Sequence, residues 1–265
     1  MTTSFKGQRA LVTGSTAGIG YAIAAELARS GAEVIINGRT QQRVDQALHS
    51  LRTALGAGAT LHGVAADVGS AAGTQALIGR YPDVDILINN AGIFAVQPFF
   101  ESQDEDWQRF YEVNVLSGVR LSRHYLAGML KRNRGRVVFI SSESGVQIPV
   151  EMIHYGMTKA AQIAIARGLA QLTAGTAVTV NSVLPGPTRS EGVGTFVADF
   201  ARKQKVTPEQ FERGFFETAR PTSLLKRFIE PEEIARVVAF VASPDASAIN
   251  GAAVRAEGGV VLSAF

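Results

Sequence analysis

A doubly wound α/β fold, one parallel sheet covered by helices on both faces, is what this sequence of 265 residues predicts. Two observations carry the prediction. Short runs rich in Val and Ile alternate with longer stretches whose apolar residues recur every three to four positions, and such alternation folds through right-handed crossovers into a parallel sheet. A glycine-rich turn also follows the first run directly, where folds of this kind open a helix toward an anion.

The strands are read from ALVTG, EVIING, LHGVAAD, VDILINNAG, GRVVFISS, AVTVNSVLPG and the stretch around AAVRAEGG, each short enough for a buried strand. Amphipathic spacing predicts helices over 18–30, 41–55, 70–80, 103–131, 155–174 and 231–242. Thr40 and Ser70 stand where a helix cap belongs, and Pro231 suits a first turn. With no linker, charge block or repeat, residues 1–265 read as a single domain.

Composition narrows the function. Cys is absent and four His are scattered, so neither disulfides nor a metal site is expected, in keeping with a reducing cytoplasm. No stretch is long and apolar enough for a signal peptide or a bilayer span. A net charge of +3 is too small to argue for nucleic acid. The one dense basic stretch, Lys131, Arg132, Arg134 and Arg136 in KRNRGR, reads as a helix end stopped by Gly135, with docking of an acidic carrier protein as the other reading.

Tyr155 and Lys159, in YGMTK, lie four apart and so share one helical face. A free phenol titrates near ~10 and a neighbouring ammonium favours the phenolate, so Lys159 is expected to draw Tyr155 down and make it a usable acid. TGSTAGIG at 13–20 supplies Gly14, Ser15, Thr16, Gly18, Ile19 and Gly20 at the start of the first helix; NNAG follows the fourth strand; Asn114 lies in the long helix after it. Ser142 closes the fifth strand, Tyr155 comes thirteen residues later, PGPT begins at Pro185, and Asp67 ends the third strand.

These ordered motifs resemble the short-chain dehydrogenase/reductase family, in its classical branch, over nearly the whole chain. The resemblance implies a Rossmann-type sheet and catalysis by Asn114, Ser142, Tyr155 and Lys159. Ser142 would hold a carbonyl oxygen and Tyr155 would protonate it. Lys159 would bind the nicotinamide ribose, and Asn114 would hold a water of a proton relay. The cofactor would meet the glycine turn, Asp67 and Val68 at the adenine, Asn90, Ala91 and Gly92 along the groove, and Pro185, Gly186 and Thr188 at the nicotinamide. Tyr155 and Lys159 would touch it as well.

Cofactor choice turns on the end of the second strand. Gly38 occupies the family's acidic position and Arg39 follows, so a 2′-phosphate would meet no repulsion and could find a cation. NADP(H) is therefore preferred, with NAD(H) still open. The idiosyncratic stretch at about 187–229, with Phe196, Phe200, Phe211, Phe215 and Phe216, is expected to form a substrate lid. Ile93, Phe94 and ESGVQIPVEMIH form another wall, whose apolar character suggests a ketone with an apolar or aromatic substituent. The resemblance also implies a homotetramer, in which Phe265 could reach a neighbour; the chain ends in Glu257, Gly258 and Gly259 where the family usually has Asp-Gly-Gly.

The function expected is NADP(H)-dependent interconversion of a ketone and a secondary alcohol. Reduction of a carrier-bound 3-oxoacyl thioester is the alternative within the class. A dinucleotide-binding protein without chemistry is the alternative outside it.

Overall fold

Side chains alternate along every strand, and the alternation divides the core in two. In the computed structural model, which describes residues 4–56, 58–191, 193–194, 197, 201–202 and 206–264, the strands are β1 (Arg9–Val12), β2 (Glu33–Gly38), β3 (Leu61–Ala65), β4 (Ile86–Asn89), β5 (Gly135–Ile140), β6 (Val178–Pro185) and β7 (Ala253–Ala256). All pair in parallel, in the order β3-β2-β1-β4-β5-β6-β7. Val12, Ile36, Ile88, Ile140 and Val183 pack on one face, against helices α1 (Gly18–Arg29), α2 (Gln41–Leu55) and the last helix, Pro231–Val241. Leu11, Ile35, Leu87, Phe139 and Val180 pack on the other, against α3 (Ala71–Arg80), Ser117–Lys131 and Ile153–Gln171. Each fully buried Val, Ile or Leu contributes about 1.5–3 kcal/mol, so a one-residue slip in any strand would misplace a whole face.

Helix starts follow the sequence. Thr40 accepts a hydrogen bond from Arg43 N (3.4 Å), Ser70 from Gly73 N (3.0 Å), and Pro231 opens the last helix. The predicted helix 103–131 is interrupted: α4 (Asp104–Tyr111) and α5 (Ser117–Lys131) are joined by a π-turn over Glu112–Leu116. Apolar spacing runs through both halves and gives no sign of it. The chain leaves α5 through Asn133 at φ +50°, rather than at Gly135, which is already the first residue of β5. Next come α6 (Ile153–Gln171), α7 (Pro208–Thr218) and α8 (Pro231–Val241).

In the expected lid region, Val197, Ala201, Phe211, Phe216 and Phe228 form a small separate core, with Phe215 stacked on Phe228 at 5.2 Å. Phe196, Phe200 and Phe265 lie outside the described residues. The strand order reverses between β1 and β4, which places a crevice at their carboxyl ends.

Candidate active site

Four of the predicted residues converge above β4 and β5. Ser142 stands just past β5 and caps a short 3₁₀ turn, its Oγ accepting from Ser144 N at 3.1 Å. Tyr155 and Lys159 share one face of α6, with Nζ 5.5 Å from the phenol ring centre. The Ser142 side chain is near enough to the Tyr155 phenol to draw its pKa down. Asn114, fully buried in the π-turn, accepts from Ile93 N (2.8 Å) and donates to Ile93 O (2.9 Å) and Thr158 Oγ1 (3.0 Å).

The electrostatics reverse one expectation. Burial and the nearby Glu143 carboxylate push the Tyr155 phenol up, outweighing Ser142 and Arg220, which pull it down. Lys159 is itself brought down to about 8 by burial, against the pull of Glu143. Lys159 Nζ donates to Ile140 O (2.9 Å) and to Gln162 Oε1 (3.1 Å), while Gln162 Nε2 donates to the Asn114 carbonyl (2.6 Å). A side chain three residues beyond Lys159 thus spans from the lysine to Asn114, the stretch where a relay water was expected.

One cleft of about 360 Å³ connects this cluster to Gly18, Ile19, Gly20, Asn90, Gly92, Pro185, Gly186 and Thr188. Its glycines are held by sterics. A Cβ on Gly20 would lie 2.4 Å from both Asn90 Nδ2 and Gly14 O, and one on Gly186 would lie 2.5 Å from Glu257 O. Gly14 and Gly18 have φ of +61° and +57°, the left-handed region that favours glycine. Asn90 ties β4 to the turn by donating to Thr13 O (2.9 Å) and Gly14 O (3.0 Å). α1 begins at Ala17 without a side-chain cap, unlike α2 and α3, so its first turn presents N–H groups toward the cleft. A pyrophosphate fits that start.

The other predicted cofactor residues lie along the carboxyl edge of β1 to β4, outside the lining of this cleft. Ser15 is turned inward, donating to Val12 O (2.7 Å) and accepting from Asn37 N (2.9 Å). Thr16 packs over Gly38, where a Cβ would meet Thr16 Cγ2 at 2.5 Å. Arg39 is exposed, Asp67 bonds its own turn through Gly69 N (3.0 Å), and Val68 is buried. Ala91 N donates to Thr13 Oγ1 at 3.0 Å. Arg43, a cation the sequence reading passed over, reaches across to Glu191 with both terminal guanidinium nitrogens (3.2 and 2.6 Å).

Three further residues escaped the sequence reading. Glu143, 4% exposed, accepts from Ser142 Oγ and from Arg220 Nε (3.2 Å); Arg220 also pairs with Glu151 (3.3 Å). Gln162 is the third. Glu143, Glu151 and Arg220 line the cleft beside Ile93 and Phe94, so the expected apolar wall is interrupted by charge. A carboxylate next to Ser142 was readable as a residue, but its partner stands far away in sequence.

The basic stretch belongs elsewhere. Arg132 pairs with Asp83 (2.7 Å), Arg134 with Asp85 (2.8 Å), and Arg136 donates to Ala177 O (2.7 Å). These contacts sit at the amino ends of β4 to β6, across the sheet from the cleft. The charges act within the fold.

Comparison with known proteins agrees with the geometry. The uncharacterized oxidoreductase YvaG of Bacillus subtilis is 49% identical over the whole of both chains. The 3-oxoacyl-[acyl-carrier-protein] reductase FabG of Aquifex aeolicus is 33% identical over 98% of this chain and 100% of its own. The L-sorbose reductase of Gluconobacter frateurii, solved with NADPH and L-sorbose, superposes with a TM-score of 0.91 at 28% identity, covering 99% of this chain and 100% of that one. The family profile for short chain dehydrogenases matches residues 8–199. With its parallel seven-stranded sheet, its glycine turn and the cluster around Tyr155, the chain belongs to the short-chain dehydrogenase/reductase family of oxidoreductases.

Proposed function

We propose that this chain is an NADP(H)-dependent reductase of ketones, run in reverse as a secondary alcohol dehydrogenase. The observation that carries the reading is the placement of Tyr155, Ser142 and Lys159 in one cleft with the glycine turn at the start of α1. A bound nicotinamide supplies a hydride to the carbonyl carbon. Ser142 and Tyr155 hold the carbonyl oxygen, and the phenol proton passes to that oxygen as charge gathers there. A phenol held above its ordinary range stays protonated through neutral pH, as a donor must. Lys159, anchored on Ile140 O, presents its ammonium beside Tyr155 and Gly92.

Support for NADP(H) comes from Gly38, which brings no carboxylate to the end of β2, and from the exposed Arg39 beside it. The NADPH complex of the sorbose reductase points the same way. The carrier-bound 3-oxoacyl alternative has the Aquifex aeolicus relative in its favour, but the basic stretch offered for docking lends it no support. By resemblance the working unit is a cytoplasmic homotetramer; a single-chain mass in light scattering would remove that part.

The test is a panel of ketones assayed with NADPH and NADH in parallel. Turnover with a higher kcat/KM for NADPH is expected, and Arg39→Ser should cut the preference about tenfold. Equal or better use of NADH overturns the cofactor assignment. Cofactor binding without turnover of any ketone or alcohol returns the chain to a dinucleotide-binding role without chemistry.

A further inference from the structure

The cleft holds more charge than ketone reduction requires. Beside Ser142 stand two carboxylates, Glu143 and Glu151, sharing the single guanidinium of Arg220, which lies 5.7 Å from the Phe215 ring. Glu143 is almost wholly buried, and its Oε1 is committed to Arg220 Nε at 3.2 Å. A buried carboxylate is costly unless its oxygens find donors, and the donor found by Oε2 is Ser142.

That bond has a consequence in proton accounting. A serine hydroxyl carries one proton. Ser142 gives it to Glu143 and accepts from Ser144 N, so it has no proton left for a substrate carbonyl. To support the oxyanion it must be released, and Glu143 must then receive another donor in its place. A simple ketone offers none. A hydroxyl on the carbon next to the carbonyl does, because it lies about a hydrogen bond's length from the carbonyl oxygen, on a substrate whose oxygen is held by the serine that Glu143 contacts.

We propose that Glu143 is a specificity-determining residue and that the substrate is an uncharged ketone bearing a hydroxyl on the adjacent carbon. This rests on the ketone-reductase reading and deepens it. The substrate hydroxyl donates to Glu143 Oε2; the Ser142 proton turns to the carbonyl oxygen; hydride from the reduced nicotinamide enters the carbonyl carbon and the Tyr155 proton enters its oxygen. The products are a vicinal diol and the oxidised nicotinamide. Arg220 holds the carboxylate in place. With two carboxylates to one guanidinium, an acidic or phosphorylated substituent at this point would be repelled, whereas hydroxyl groups are welcome.

The experiment compares hydroxyacetone with butan-2-one, in which a methyl replaces the hydroxyl at nearly equal size, using NADPH and measuring kcat/KM for each. The wild-type enzyme is expected to favour hydroxyacetone by about tenfold or more, the range of a hydrogen bond to a charged group. Glu143→Gln removes the charge at constant shape and should bring the two substrates within about threefold of each other. The ratio within one protein is insensitive to a general loss of folded enzyme. Should that variant be insoluble, Glu143→Asp withdraws the carboxylate by one methylene and should give an intermediate ratio. Equal or better turnover of butan-2-one by the wild type overturns the proposal, as does a ratio unchanged by the variants. Reduction of neither compound, nor of any other ketone, would instead sink the ketone-reductase reading and this one with it.

Discussion

The two ends of the cleft are built by different means. At the glycine turn the recognition surface is backbone: Gly14, Gly18 and Gly20 sit within seven residues, and what matters is that no side chain intervenes. At the substrate end it is side chain, and the partners are far apart: Glu143 and Arg220 are separated by 77 positions, Gln162 and Asn114 by 48. Backbone recognition leaves a local signature because the turn must be written contiguously. Side-chain recognition leaves none, since any loop that reaches the site can contribute.

Substitutions can break this contrast. The largest effect is expected where both ends meet: Tyr155→Phe, nearly isosteric, should lower kcat roughly 100- to 10,000-fold while cofactor affinity, measured by NADPH fluorescence titration, stays within about twofold. Comparable losses in both would mean that the phenol organises the cofactor rather than the proton. Gly20→Ala should strike the backbone end alone, because its Cβ would press on Asn90 Nδ2 and Gly14 O, each 2.4 Å away. Overpacking of this kind costs about 1–3 kcal/mol, expected as a weaker NADPH Kd with an unchanged preference among ketones.

The smallest effect belongs to Gln162→Leu. It removes an acceptor from the Lys159 ammonium, whose pKa already lies near 8, and so should lower that value further. A reaction that needs the ammonium loses activity as pH rises through this pKa. The alkaline fall of kcat/KM should therefore move to lower pH by up to about one unit, as a pH profile would show. An unmoved profile would make Gln162 a packing residue only.

Much of the framework was legible before the structure. Every apolar run became a strand, because strands buried on both faces need continuous Val and Ile, and the caps at Thr40 and Ser70 are local chemistry. The interruption at Asn114 was not legible, since the force behind it is tertiary: Ile93, Thr158 and Gln162 all bind that one residue. Nor was the direction of the Tyr155 shift. Spacing brought a cation near, but burial and Glu143, which depend on the folded surroundings, outweighed it. The basic stretch was read first as a helix end, and α5 does end at Lys131; that Arg132 and Arg134 would meet Asp83 and Asp85, just ahead of β4, depends on the fold and was not legible.

The π-turn also sets an angle. Relative to a continuous α-helix it accommodates one extra residue, and each residue turns a helix by about 100°. Leu121, Tyr125 and Met129 of α5 face the sheet because the wider turn absorbs that residue instead of passing its rotation on to α5. Winding Glu112–Leu116 as regular α-helix with no residue removed would rotate those side chains by about 100° away from the core, whereas deleting one residue there would restore a regular helix and leave them facing it. The turn that carries Asn114 to the candidate site is thus also the one that keeps α5 in phase with the sheet.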